Sequence, residues 1–275
     1  MNRRMMFAAA VAATLIGMGA SAQAQDSTMD QVKENGVLRV GVTQAPPWYS
    51  KDVMSGEWTG GLGISMGKAM AENLGVTFEP VEVTWGTAVA ALQANRIDLM
   101  YVLDATDERR QAVAFPETPL LYYSLAVLAR DELEITDWAD LNTPEISISV
   151  PQATSMDAFV TEHAPDADIQ RFPGNAEAIA AFQAGRVDAV TLFHPPLIAA
   201  RQRLGAGQIV VPKPVESRPS SVAVRQEADT AFVDWVNEQI DGYYTSGQTQ
   251  QWYEDFLTEF GLDPASVPAI MRERL

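Results

Sequence analysis

The sequence contains no cysteine, which excludes disulfides, thiolate metal sites and a lipid-modified N-terminal cysteine. Histidine occurs only as His163 and His194, and neither has a second histidine, a cysteine or a carboxylate at metal-binding spacing, so both read as structural or surface residues and no metal is expected. Basic residues are also scarce: 19 Lys and Arg against 36 Asp and Glu give a formal charge of −17. With no basic run to offset it, that charge repels a phosphate backbone, and nucleic acid is not an expected partner. Gly60, Gly61, Gly63 and Gly67 lack the spacing of a phosphate-binding loop, and there is no GxSxG elbow, so neither a nucleotide cofactor nor serine hydrolysis is signalled. Past the N-terminus, no apolar run approaches the ~20 residues of a membrane span.

What the sequence does have begins at its start. Arg3-Arg4, the apolar stretch Met5 to Gly19 and Ala22-Gln23-Ala24 match the positive, hydrophobic and small-residue regions of a secretory signal, with cleavage expected after Ala24. Processing would remove two arginines and leave 17 basic against 36 acidic residues, a charge of −19 on a soluble chain beyond the inner membrane of a Gram-negative cell. The 47% hydrophobic and 20% charged content of the 275 residues is that of a globular protein with room for two α/β units.

Residues 25–36 read as a polar lead-in. Leu38 to Val42 alternates as a strand before Pro46-Pro47 stops it, and Leu62, Met66, Ala69, Met70 and Leu74 recur at helical spacing up to Gly75, a residue suited to a left-handed helix end. Strand character returns at 76–83 and 97–102 around a helix within 85–95. A short helix is expected after Thr106, then a proline-bounded loop at 115–119 and an extended segment at 120–130. The second half repeats the scheme with strands at 146–150, 169–172 and 187–192 and helices at 155–163 and 175–184. Extended pieces at 209–211 and 221–225, a long helix at 228–244 and a final amphipathic helix around Trp252 and Phe256 complete it. Strands alternating with helices argue for an α/β fold.

One internal echo stands out. Leu92-Gln93-Ala94-Asn95-Arg96-Ile97-Asp98 is matched ninety positions later by Phe182-Gln183-Ala184-Gly185-Arg186-Val187-Asp188, consistent with two lobes on one plan or with coincidence between two helix-turn-strand junctions. Asp104-Ala105-Thr106-Asp107-Glu108-Arg109-Arg110 is the most suggestive stretch. Thr106 suits an N-cap, Asp107 and Glu108 suit the first helical turn, and Arg109 either grips a carboxylate or pairs with a surface acid. Trp48, Tyr49, Trp85, Tyr101 and Phe193 fall near strand ends, where α/β clefts form, and serve either as ligand walls or as core.

Leu38-Arg39-Val40-Gly41-Val42 with Pro46-Pro47-Trp48, Ala91 through Asp98, Thr106-x-Glu108-Arg109 with Phe115, and Phe182 through Asp188 together resemble the extracellular solute-binding proteins of ABC importers, specifically the family that carries polar amino acids. The resemblance covers roughly Val37 to Phe256. It implies a two-lobed periplasmic binding protein type II fold, with lobe 1 from 25–126 and 218–275, lobe 2 from 130–213, and hinge crossings at 127–129 and 214–217. It also implies a monomer in the periplasm that takes a small organic solute to an inner-membrane permease, with no cofactor and no catalysis. Arg109 and Thr106 match the family's carboxylate-binding arginine and hydroxyl, Thr154 and Ser155 its small polar loop in lobe 2, and Trp48 or Tyr49 its aromatic after the first strand.

The departures bear on the ligand. Phe193 stands at or beside the position where the family carries an aspartate for the ligand's ammonium. Asp104 replaces a hydroxyl residue, and Leu62-Gly63 replaces a glycine-aspartate pair. These changes either relocate recognition of a cation to Asp104 and aromatic faces or abolish ordinary amino-acid binding. An isolated carboxylate in a dry cleft is costly, so Asp104 calls for a cationic ligand atom, a nearby protein cation or a raised pKa. An exported dehydratase-like enzyme on the same fold and a ligand-sensing module are the alternatives.

Overall fold

A computed structural model describes residues 27–52, 54–268 and 270; the expected signal sequence and its cleavage point lie outside them. In chain order the strands are β1 (Val37–Val42), β2 (Ser50–Lys51), β3 (Trp58–Gly60), β4 (Thr77–Glu82), β5 (Leu99–Asp104), β6 (Val113–Ala114), β7 (Leu121–Ala129), β8 (Ser147–Pro151), β9 (Asp168–Phe172), β10 (Ala189–Phe193), β11 (Gln208–Val210) and β12 (Ser217–Arg225). The helices are α1 (Thr28–Asn35), α2 (Leu62–Leu74), α3 (Ala88–Gln93), α4 (Asp107–Arg110), α5 (Ser155–His163), α6 (Asn175–Gln183), α7 (His194–Leu204), α8 (Ala231–Ser246) and α9 (Gln248–Glu259).

The strands lie in the order β4-β1-β5-β12-β7-β10-β8-β9. At one end β4, β1 and β5 run parallel and meet β12 antiparallel. At the other end β9, β8 and β10 run parallel and meet β7 antiparallel. Each end is thus a parallel triplet in the order second, first, third, closed by one long antiparallel strand. The two long strands join the halves: Leu121–Ser124 of β7 pair with Ser220–Ser217 of β12, and from Leu125 onward β7 pairs with β10.

The sequence echo marks equivalent joints in the two halves. The Asp98 carboxylate accepts the backbone N–H of Arg39 on β1 at 2.7 Å, and the Asp98 N–H donates back to the Arg39 carbonyl at 2.8 Å. The Asp188 carboxylate likewise accepts the N–H of Ser147 on β8 at 2.9 Å, while its own N–H donates to the Ser147 carbonyl at 2.9 Å. In each half an aspartate at the mouth of the third strand locks the register of the first, so the shared letters encode one local structure used twice.

Two helices depart from the expectation, as do the short β2–β3 pair and β6, where no strand is expected from the sequence. The polar lead-in contains α1, capped by Ser27, ended by Gly36 in the left-handed region, and anchored through buried Met29 and Val32. Residues 194–204, for which the pattern gave no element, form α7. Pro195 and Pro196 stand in its first turn, where a missing N–H costs nothing. Among the described residues, no helix is long and apolar enough to cross a membrane.

Candidate functional site

The carboxyl ends of the parallel strands of both halves face one cleft, the usual ligand position in open α/β sheets. A small inner cavity of about 30 Å³ is lined by Trp48, Trp85, Val102, Leu103, Asp104, Arg109 and Tyr123 from one side and Thr154, Ser155, Met156, Asn175, Phe193 and Pro196 from the other. Trp85, Arg109, Thr154 and Ser155 also wall a wider groove that includes Thr106, so the cavity opens outward past Arg109.

Asp104 ends β5. The pairing of β5 with β12 slips one residue between Ser221 and Val222, leaving Val102 as the extra residue of a bulge. Val102 has φ of 59°, a left-handed conformation that is costly for a β-branched residue and that concentrates at functional positions. Just before the bulge, the Tyr101 carbonyl accepts the Tyr49 hydroxyl at 2.8 Å. Beyond the bulge Leu103 and Asp104 reach the cleft.

Asp104 is 6% exposed, and its carboxylate accepts one hydroxyl on each oxygen, from two directions. Oδ1 accepts from Tyr123 Oη at 2.5 Å, and Oδ2 accepts from Ser155 Oγ across the cleft. Burial and the adjoining carboxylate push the Tyr123 phenol well above its ordinary range, which keeps it a donor. Ser155 is the first residue of α5, so the carboxylate also faces the positive end of a nine-residue helix. Asp104 therefore ties the first half to the second.

Two further contacts cross the cleft. The Tyr123 and Phe193 rings stack with centroids 3.6 Å apart and planes 3° from parallel. Trp85 Nε1 donates to Asn175 Oδ1 at 3.1 Å. Arg109 sits on α4, whose N-cap Thr106 accepts the Arg109 backbone N–H at 3.2 Å, and its Nη1 donates to the Asp104 carbonyl at 3.1 Å. The half-buried guanidinium is fixed at one donor and turned along the cavity wall. Arg110 is exposed, donates to the Ala105 carbonyl and lies over Phe115.

Of the ten residues singled out in the sequence, Trp48, Trp85, Asp104, Arg109, Thr154, Ser155 and Phe193 line the inner cavity. Thr106 lies in the outer groove as the cap of α4. Thr154 is occupied structurally, since its hydroxyl accepts the Asp157 N–H at 3.1 Å and donates to the Pro151 carbonyl at 2.7 Å. Tyr49 and Tyr101 do not line the cavity. Both are fully buried behind it, Tyr49 on the Tyr101 carbonyl and Tyr101 with its hydroxyl on Met70 Sδ.

The altered Leu62-Gly63 pair has a packing reason. A side chain at Gly63 would collide with the Tyr49 ring, and the Leu62 and Gly63 amides donate to the Pro47 and Trp48 carbonyls at 3.0 and 2.9 Å. The loop carrying Trp48 and Tyr49 is thus docked onto the start of α2. Sequence reasoning missed Tyr123 and Asn175. Alternation through Leu121, Tyr123 and Leu125 marks an inward face, and Asn175 opens a helix after a strand, the same position type as Ser155.

Fold and site together define a two-lobed α/β periplasmic binding protein of type II, with lobes joined by paired long strands and a ligand cleft between them. The chain belongs to the bacterial extracellular solute-binding proteins, family 3, whose sequence profile matches residues 38–259. It is accordingly a periplasmic protein with a general solute-binding role in ABC import. It is 28% identical over 245 residues to the general L-amino acid-binding periplasmic protein of Rhizobium johnstonii, covering 84% of this chain and 70% of that one. The solved L-cysteine solute receptor of Neisseria gonorrhoeae superposes with a TM-score of 0.80 at 26% identity, covering 90% of this chain and all of the receptor. The solved structure of an ancestral amino acid-binding protein, a precursor of cyclohexadienyl dehydratase, superposes with a TM-score of 0.76 at 29% identity, covering 84% of this chain and 99% of that one.

Proposed function

We propose that this protein captures a small amino-acid-like, carboxylate-bearing solute between its lobes and, as a monomer, delivers it to an inner-membrane permease. The observation that carries this reading is the pairing of opposite charges on one wall: the Arg109 guanidinium at the mouth and the Asp104 carboxylate within. A zwitterion laid along that wall meets both. Arg109 offers forked donors to the carboxylate, and the aromatic rings cover the body of the solute. The relatives that bind amino acids support the same class.

The lobes are taken as 25–126 with 218–275 and 130–213, closing about the crossings at 127–129 and 214–217 by a hinge motion. Binding without chemistry is favoured over a dehydratase-like reaction by the state of Asp104. It is the sole carboxylate among the described residues of the inner wall, with no second acid beside it to share acid–base work, and its hydrogen bonds to Tyr123 and Ser155 give it a joining role between the lobes. Titration calorimetry against polar amino acids and their derivatives, followed by chromatography of the same mixtures, tests the reading. Stoichiometric binding of unaltered solute is expected; turnover to a product would replace it with an enzyme.

A further inference from the structure

We infer that the cleft carries its own latch: the hydrogen bonds from Ser155 to Asp104 and from Trp85 to Asn175 hold the two lobes shut with no solute between them, and solute enters only through an opening that breaks both. Entry of solute rests on the solute-binding reading, whereas the latch rests on the contacts alone. The inner cavity of about 30 Å³ has room for about two water molecules. This closed arrangement is therefore filled by side chains of the protein itself, and even glycine is too large for it.

The two bonds differ in strength. Ser155 Oγ, on the first residue of α5, donates to the Asp104 carboxylate at the end of β5, and both residues are buried; the acceptor is charged and faces the positive end of a helix, which makes this the stronger link. The bond from Trp85 Nε1 to Asn175 Oδ1, on the first residue of α6, joins neutral groups that are equally buried. Each bond ties a helix start in lobe 2 to a residue of lobe 1, so both must part when the lobes do. The ring stack has another place. Tyr123 pairs with Arg218 just before β7 leaves β12, and Phe193 pairs with Leu125 just after, so the stacked rings lie at the crossing and mark the pivot. Because Tyr123 and Asp104 belong to the same lobe, an opening leaves Asp104 held through Oδ1 by Tyr123 and turns Oδ2 toward the solvent.

The test is a distance measured across the cleft in protein freed of small molecules by unfolding, dialysis and refolding. The chain has no cysteine, so Gln111→Cys with Glu162→Cys takes spin labels at those two positions alone. Both residues are exposed, Glu162 on the wall of the outer groove and Gln111 beside its Ala112. Pulsed electron spin resonance on this labelled parent is expected to give one short distance. Ser155→Ala is expected to raise the ratio of open to closed molecules at least about tenfold, and Asn175→Ala about two- to tenfold, as for loss of a charged and a neutral hydrogen bond. The double variant is expected to show the longer distance as its main one. A long distance already dominant in the parent would overturn the inference, and so would a double variant that keeps the parent's distribution; should the double variant not fold, the two single variants carry the same criterion. Neither result touches the solute-binding reading, because no solute is present, and the calorimetric panel tests that reading separately.

Discussion

Replacing Asp104 separates a residue that joins the lobes from one that merely lines a cavity. In Asp104→Asn, the amide oxygen accepts from Tyr123 and the amide N–H₂ donates to Ser155 Oγ, so both links survive without their charge. Losing charge assistance in two bonds costs about 1–2 kcal/mol. Asp104→Ala leaves the buried Tyr123 hydroxyl and the Ser155 hydroxyl without their acceptor, at about 1–3 kcal/mol each, or roughly 4 kcal/mol together. For a chain of this size each kcal/mol moves Tm by about 2–4 °C. Differential scanning calorimetry of the solute-free protein is therefore expected to show a drop of about 2–8 °C for Asn and about 8–16 °C for Ala. Equal drops, or no drop for Ala, would refute the assignment of Asp104 as the acceptor for both hydroxyls.

Other consequences follow from neighbouring residues. Arg109→Ala should weaken binding of a carboxylate-bearing solute by about 30-fold to several thousand-fold, the equivalent of about 2–5 kcal/mol for a desolvated ion pair; exposed Arg110→Ala should change it less than threefold by the same calorimetry, as expected of surface charges worth under about 1 kcal/mol. His194 is buried and its Nδ1 accepts the Ser124 N–H at 3.2 Å; burial holds its pKa at about 4 against an ordinary 6.5. The unfolded chain thus takes up a proton below pH 6.5 that the folded chain refuses until about pH 4. His194 contributes stability that is whole above the upper value and lost as pH falls through that window, on the order of 3 kcal/mol. Urea titrations of His194→Asn, which keeps an acceptor for Ser124, should show a correspondingly shallower loss between those pH values; identical slopes would exclude His194. Gly63→Ala should lower Tm by several degrees, because overpacking costs about 1–3 kcal/mol, and should weaken solute binding through displacement of Tyr49 and the Trp48 loop.

The parallel triplets were legible because β1, β5, β8 and β10 are runs of apolar residues bounded by clear helix ends, and because Asp98 and Asp188 repeat with their surroundings. Helix α1 was not, since only Met29 and Val32 of its eight residues are apolar and buried beyond Thr28. Helix α7 was masked by Pro195-Pro196, which reads as a break until its position at a helix start is seen. At the site, the charged and capping residues of 104–109 carry a local signal, and seven of the ten residues singled out do reach the cavity. Tyr49 and Tyr101 look like cleft aromatics in sequence, but their inward burial is set by the bulge at Val102 and the close approach of Gly63, both products of tertiary packing. The partnership of Asp104 with Tyr123 and Ser155 joins residues 19 and 51 positions away, and no local pattern announces it.

The central claim is that the cleft holds a carboxylate-bearing solute on Arg109. The most direct measurement is native mass spectrometry of protein purified from the periplasm without refolding, wild type beside Arg109→Ala, with the released small molecules identified after denaturation. One small carboxylate-bearing solute per wild-type chain is expected, and its loss from Arg109→Ala. A solute without a carboxylate, or one retained in full by Arg109→Ala, would contradict it.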